Sequence, residues 1–425
     1  MATVAPSGVS SVASAVAPAS ERRAPSSRST LKWVIMLGAL ACLPALTVDM
    51  YLPALPQVAA DLGGTDALAQ LTVSCMLVGG ALGQLVIGPL TDRFGRRLPL
   101  LIGLAMHVLV SLACAVVDDM YMLIGLRLAQ GFFNSAASVA AMATVRDRFV
   151  GAEAARILSR LMLVIGVAPM LAPSLGSVVL EGFAWRWIFV VLALIGALLA
   201  VVVMFAMPET NPSARRTTGG ATSVLRGYRT LLRDKHFMAL ALIPGLAMGA
   251  LLSYVVGSPF VFQQGYGLTH GQFSLLFAIN GLGLVLSAQV NAALVRRVAP
   301  IRLLRIAIVA QVVMSVVLLV VAVTQLGGLI GLLVALWLVL AFQGLIPANA
   351  SALALSRHGE IAGTSAAMIG AVQSLLAGVV SPIVGLLGSD TVAMSSVMLG
   401  TGLLAFVVLA TATPAYRKGG WHTPL

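Results

Sequence analysis

Gly88-Pro89-Leu90-Thr91-Asp92-Arg93-Phe94-Gly95-Arg96-Arg97 stands between two apolar runs, residues 67–90 and 99–117. Each run is long enough to cross a bilayer as a helix, which takes about 20 apolar residues. So short a connection holding Asp92, Arg93, Arg96 and Arg97 is a charged turn at a membrane surface. Its cations place it on the cytoplasmic face, where the Lys and Arg of short loops collect. Gly88 and Gly95 imply a sharp turn of the backbone and close approach of a neighbouring helix.

Outward from this turn, further apolar runs of spanning length follow one another. The full set covers residues 32–56, 67–90, 99–117, 120–145, 157–180, 185–207, 237–262, 270–295, 301–324, 327–354, 361–388 and 390–412. The expected fold is therefore an all-α membrane protein of twelve transmembrane helices. The run at 327–354 contains Pro347 and Asn349 and is the one whose end the sequence fixes least. With 59% hydrophobic and 9% charged residues over 425 positions, the chain departs far from soluble globular proteins, which are about 25% charged.

A net charge of +12 would suit nucleic acid, but its distribution argues against that partner. With the N-terminus assigned to the cytoplasm, every Lys and Arg except Arg127 and Arg186 falls in the tails or in loops of that side. The other side carries Asp61, Asp66, Asp118, Asp119, Glu181 and Asp390. The asymmetry is topological, and an even number of spans puts both termini inside. The lysines are Lys32, Lys235 and Lys418, and none follows the G-x-x-x-x-G of a phosphate-binding loop. No ATP use and no cofactor are expected; uphill transport would draw on an ion gradient or a partner subunit. Cys42, Cys75 and Cys114 lie in different spans without metal-ligand spacing and are expected to be apolar packing residues.

The polar stretch 208–236 divides the spans six and six. The expected organisation is a disordered tail (1–30), a six-helix bundle (31–207), a cytoplasmic linker (208–236), a second six-helix bundle (237–412) and a tail (413–425). Internal repetition supports it. Gly83, Arg96 and Arg97 recur as Gly283, Arg296 and Arg297, Gln130-Gly131 as Gln343-Gly344, and Ala172-Pro173-Ser174-Leu175-Gly176 as Ser381-Pro382-Ile383-Val384-Gly385. Repeats of this kind place a substrate cavity at the interface of the halves. Asp92 corresponds to Ala292 and Gly88 to Ala288, so a gate built on that acid is one-sided.

By this topology Asp49 and Arg127 lie inside the membrane, both roughly 10–12 Å below the outer surface at 1.5 Å per residue. An intramembrane charge is costly and by default functional. Two readings stand: a salt bridge that locks the first bundle, or an acid that takes a proton or a cationic substrate group beside Arg127. Arg127, Gln130, Asn134 and Ser138 share one face of the fourth helix, as a wall of an aqueous cavity or as helix-to-helix hydrogen bonds. Tyr51, Gln130 and Asn134 are the expected cavity residues. Asn280, Gln289, Gln311 and Gln373 are isolated polar residues, for packing or for pore lining, and His107 reads as an interior histidine. Pro169 and Pro173, with Gly166 and Gly176, predict a pliable fifth helix packed closely against a partner.

G-x-x-x-D-R-x-G-R-R at residues 88–97 resembles the signature loop of the major facilitator superfamily. Thr47-Val48-Asp49-Met50-Tyr51-Leu52-Pro53-Ala54-Leu55-Pro56 resembles the first-helix D-M-Y-L-P-A-x-P signature of its Bcr/CflA branch, the bicyclomycin-resistance and chloramphenicol-efflux drug:proton antiporters. Gly166 to Gly176 is similar to the antiporter motif, and Arg127-Leu128-Ala129-Gln130-Gly131 to the fourth-helix R-x-x-Q-G. Phe133 and Ser177 depart from the pattern, standing where it carries a small residue and a second glycine.

The resemblance implies a proton-driven exporter of drug-like molecules such as amphenicols, monomeric, in a bacterial inner membrane. Asp49 and Arg127 would couple protons to drug. Asp92 and Arg93 would latch the cytoplasmic side against the eleventh helix near Ile361. A proton-coupled exporter of a metabolite is the alternative. The partners expected are the drug, protons and membrane lipids.

Overall fold

The computed structural model describes residues 27–149, 151–212, 221–358 and 361–413, and every regular element among them is helical. The first segment runs as α1 (Ser27–Asp49), a 3-10 turn (Leu52–Ala54) and α2 (Leu55–Asp61). It does not continue unbroken to 56 as expected. Pro53 and Pro56 each stand second in a new element, at positions where the missing N–H costs no helical bond. Then follow α3 (Asp66–Phe94), α4 (Arg97–Val116), α5 (Met120–Arg148), α6 (Gly151–Gly182) and α7 (Arg186–Ala206).

The stretch expected to be a plain linker holds a helix, α8 (Ala221–Arg233). Beyond it come α9 (Lys235–Pro259), which passes into a π-helical turn at Phe260–Gly265, α10 (His270–Leu294) and α11 (Pro300–Thr324). The tenth span is broken into α12 (Gly328–Gln343) and α13 (Ile346–Leu355), with Pro347 opening the second piece. The eleventh is broken at Ser381-Pro382 into α14 (Ala362–Val380) and α15 (Ile383–Leu386), and α16 (Thr391–Ala412) is the last. Of the expected tails, 1–30 and 413–425, residues 1–26 and 414–425 lie outside the described residues, while 27–30, expected in the disordered tail, form the first turn of α1.

Among the described residues, eleven helical stretches are long and apolar enough to cross a membrane. α5 is as long as α3 and packs between α3 and α4. It misses that hydropathy because Arg127, Gln130 and Asn134 interrupt it. Four helices that start at the end away from the Asp92–Arg97 connection begin on side-chain caps, Thr65 for α3, Asp119 for α5, Thr269 with Gln272 for α10 and Asp390 for α16, whereas α7 and α12 start there without one. Acids there satisfy free N–H groups and sit at the positive pole of each helix.

Packing makes two groups, α1 to α7 and α9 to α16, which meet chiefly where α3 lies on α14 and α6 on α10. The repeated residues do matching work in each. A Cβ added to Gly83 would strike Phe132 of α5, and one on Gly283 would strike Trp337 of α12. Gln130 donates to Ser111 of α4, and Gln311 of α11 donates to Gln343 at 2.7 Å.

The two ends of this assembly differ. At the end away from the charged connection, one apolar core runs through both groups, from Met50 and Leu55 to Phe273 and Val384. At the charged end it splits in two: one core around Trp33, Leu104 and Leu161, another around Leu231, Phe237 and Ile346.

Candidate functional site

A cavity of about 480 Å³ lies between the groups where the core divides. α1, α3, α5 and α6 form one wall; α9, α10, α12 and α14 form the other. Its floor is sealed toward the end away from the Asp92–Arg97 connection by contacts across the groups. Ser74 and Ser381 share a hydrogen bond of 2.7 Å, and Gly385 N donates to Gln70 Oε1 at 2.9 Å. Ser177 bonds Ser274 at 2.6 Å and donates to His270 O at 2.9 Å. Ser177 thus uses the hydroxyl that sets it apart from the family pattern to join the halves. Toward the charged end the walls part, and a Cβ added to Gly88, Gly166 or Gly363 meets nothing within 4 Å.

Asp49 ends α1 and faces this cavity as its single charged lining residue; Asn134 lines it as well. The other expected members stand behind the wall. Arg127 is fully buried and donates to Thr47 O at 3.3 Å and to Gln130 Oε1 at 2.5 Å. Its guanidinium lies 4.7 Å from the Tyr51 ring centroid and 5.6 Å from that of Phe189, faces that attract a cation. Tyr51 and Gln130, expected on the cavity surface, are both fully buried; Tyr51 accepts a hydrogen bond from Thr72 at 3.2 Å. The expected Asp49–Arg127 pair is not formed among the described residues. Arg127 instead grips the carbonyl two residues before Asp49, so it positions the acid through the backbone.

Gly166 and Pro169 line the cavity and Pro173 is buried behind them. Close packing, expected along the whole motif, is concentrated at Gly176, where an added Cβ would sit 2.0 Å from Met50 O. Of the isolated polar residues, Asn280 lines the cavity, Gln311 is packing, and His107 is buried with Gly196 making room for its ring.

At the charged end, Gly88 lies within α3, and the turn rests on Gly95 alone, whose φ of 93° suits glycine. Arg96 is the centre of the cluster. It pairs with Asp92 one helical turn back, bonds Asp147 Oδ2 of α5 at 2.8 Å and donates to Thr91 at 2.9 Å. Arg97 reaches Met204 O, while Arg93 lies exposed over the Phe94 ring. The expected contact of Asp92 with the start of α14 is not made: in this open state the acid turns to Arg96.

Sequence reading missed Glu209. Its carboxylate accepts the backbone N–H groups of Arg96 at 2.9 Å and Arg97 at 3.2 Å, so it holds the start of α4. Burial works to raise its pKa, but the N–H donors of Asn211, Arg96, Arg97 and Thr210 outweigh it and hold the carboxyl below its ordinary value. An acid directly after the sixth span, facing a loop of arginines, was the available signal.

The sequence profile of the Major Facilitator Superfamily matches residues 37–382. An uncharacterized MFS-type transporter, YdgK, of Bacillus subtilis strain 168 is 37% identical over 387 residues, covering 90% of this chain and 96% of that protein. A bicyclomycin resistance protein homolog of Haemophilus influenzae is 29% identical over 381 residues, covering 90% and 96%. Among solved structures, the D-xylose-proton symporter superposes with a TM-score of 0.72 at 16% identity, over 92% of this chain and 99% of that one. A point mutant of the nucleoside transporter NupG reaches 0.74 at 12% identity, over 91% and 100%; at these identities the likeness is one of fold. Profile, near full-length relatives, repeated halves and a central cavity agree: the chain belongs to the major facilitator superfamily and is a multi-pass membrane transporter, not an enzyme.

Proposed function

We propose that this transporter is a drug:proton antiporter of a bacterial inner membrane, exporting drug-like amphiphiles such as amphenicols, with the charged end and both termini in the cytoplasm. The observation that carries this reading is Asp49, the single charged group on the surface of a mainly apolar cavity. The names of two relatives support it: the bicyclomycin resistance protein homolog, and the multidrug resistance protein MdtL of Klebsiella pneumoniae, 31% identical over 249 residues. The second covers 58% of this chain and 62% of its own length.

In the cycle we infer, substrate enters the open charged end and displaces a proton from the Asp49 carboxyl into the cytoplasm. The halves then rock about α3–α14 and α6–α10 until the cavity faces outward. A proton from outside neutralises Asp49, the substrate leaves, and the neutral carboxyl permits the return. One proton enters for each substrate expelled. Desolvation penalises the charged acid whenever the site is empty, so carrying either proton or substrate is what allows the return and forward strokes. Arg127 fixes the α1 backbone at Thr47 throughout. The protein works without cofactor, as a monomer among lipids.

Reconstitution in liposomes with an imposed pH gradient tests this. Uphill movement of chloramphenicol or ethidium is expected for the parent protein and is lost in Asp49→Asn, which keeps the side-chain shape and removes the titrating group. Gradient-driven accumulation by Asp49→Asn at the parent rate would sink the coupling role. Transport of a sugar or amino acid in place of both drugs would favour a metabolite exporter.

A further inference from the structure

We propose that Gln84 of α3 and Ser374 of α14 form the polar anchor of the cavity, and that the ligand they hold is a neutral amphiphile ending in a hydroxyl group. The inference rests on reading this cavity as the substrate site, and it names the substrate class.

The other uncharged polar side chains around the cavity are spent or covered. Ser135 donates to Phe132 O at 2.8 Å and Ser138 to Ser135 O at 3.1 Å. Asn134, Tyr254 and Asn280 are at most 2% exposed, and their unpartnered atoms Oδ1, Oη and Nδ2 are covered. Gln84 and Ser374 differ. Both line the cavity, Gln84 exposed and Ser374 half-buried, and neither side chain has a hydrogen-bond partner among the described residues. The amide supplies donors and an acceptor, and the serine hydroxyl supplies both roles in one group. A ligand hydroxyl, itself donor and acceptor, satisfies the two together.

Their placement follows from the seam between the halves. The contacts of Gln70 with Gly385, Ser74 with Ser381 and Gln84 with Gly370 show that α3 and α14 run antiparallel. A Cβ added to Gly378 would sit 2.6 Å from Val78, so the seam is tight there. One added to Gly370 finds Gln84 Oε1 as its nearest atom, at 3.8 Å. Ser374 stands midway between these glycines, one helical turn from each on the same face of α14. Gln84 thus reaches toward α14 where the seam begins to part, and Ser374 lies about 6 Å further in.

The single charged lining residue, Asp49, is deeper. Tyr51, just past it, accepts a hydrogen bond from Thr72. Gln84 lies on α3 roughly 18 Å from Thr72 toward the charged end, at 1.5 Å per residue. An ionised group held at Gln84 would enter an apolar cavity with no counter-charge beside it, which is costly. A hydroxyl needs none. The apolar body of the ligand then extends inward past Leu77 and Met76. Because the anchor residues belong to opposite halves, a bound hydroxyl ties α3 to α14 where the seam must close for the cavity to turn outward.

Thiamphenicol and florfenicol test this. Both are neutral and differ only at a terminal hydroxyl, which is fluorine in the second. In calorimetric titration of the purified protein in detergent, thiamphenicol should bind roughly fivefold more tightly, the scale of one net hydrogen bond. In Gln84→Leu and in Ser374→Ala that ratio should fall toward one. A disturbance of structure alone would weaken both compounds alike and leave the ratio standing, so a ratio that survives in either variant overturns the anchor. Equal affinities on the parent protein, or no binding of either compound, overturn it as well.

Calorimetry needs neither gradient nor turnover. A ratio that collapses in both variants, without gradient-driven export by the parent, would count against the antiporter reading alone. Gradient-driven export with a ratio indifferent to both variants would count against the anchor alone.

Discussion

At the scale of single residues, Gly176 and Asp49 hold one junction. The backbone after Asp49 presses on α6 so closely that Gly176 has no room for a methyl group. Gly176→Ala should push α6 away from Met50, at the cost of overpacking, about 1–3 kcal/mol. The melting temperature of the purified protein should fall. Gly166→Ala, whose new Cβ points into open cavity, should melt like the parent; equal melting of the two variants would refute the junction. The residue types were legible in the sequence, since an acid and an arginine inside spans stand out at once. Their facing was not. A period of 3.6 puts Arg127, Gln130 and Asn134 on one stripe, but the rotation of α5 against Tyr51 and Ser111 decides that only Asn134 reaches the cavity. Equal depth likewise suggested an Asp49–Arg127 pair, whereas the guanidinium finds Thr47 O and two ring faces nearer to hand.

At the scale of elements, the second half is pinned at the charged end by Asp234. It caps α9 by accepting from the N–H groups of His236 at 2.9 Å and Phe237 at 3.1 Å, and it pairs with Arg357 at 3.2 Å and His358 at 2.9 Å beyond α13. Burial works to raise its pKa; the Phe237 N–H, His358 and Arg357 overcome this and hold it at about 2. Because the folded value is depressed, the stabilisation is complete above the ordinary carboxylate range, near pH 4. It is lost as pH falls through about 2. Asp234→Ala should lower stability at pH 7 by about 1 kcal/mol, typical of a lost cap. Its melting temperature should converge on the parent's as the buffer is taken from pH 5 toward 2. A gap independent of pH would mean that the charge does not matter. Most spans were legible as apolar runs, while the breaks were legible only as prolines. Whether Pro173 bends a continuous helix and Pro382 ends one depends on the neighbours, which a run of residues does not display. α8 was hidden because its length and polarity match those of a linker; its packing of Gly227 against Thr364 and burial of Leu231 need the folded bundle.

At the scale of the whole molecule, the repeated halves were legible from Gly83 and Gly283 or Gln130 and Gln343. The state of the gate was not, because both states share one sequence. Here the charged end is parted and the other end sealed. A disulfide at Ser74→Cys/Ser381→Cys, in a background without Cys42, Cys75 and Cys114, should form readily, since the two hydroxyls already lie 2.7 Å apart. Oxidation should arrest transport and a reductant should restore it. Normal turnover by the cross-linked protein would exclude opening of this seal from the cycle.

Beside the apolar core, the polar contacts of that seal are hydroxyls, amides and backbone groups, and the ion pairs of Asp92, Asp118, Asp147 and Asp234 each lie within one half. Mobile ions screen charges but leave neutral hydrogen bonds nearly untouched. The face turned to the environment on our reading would therefore open and close alike in fresh and in brackish water. Apart from the exposed Arg186–Asp118 pair, sensitivity to ionic strength falls on the arginine cluster at the other face, where the cell itself sets the composition of the medium.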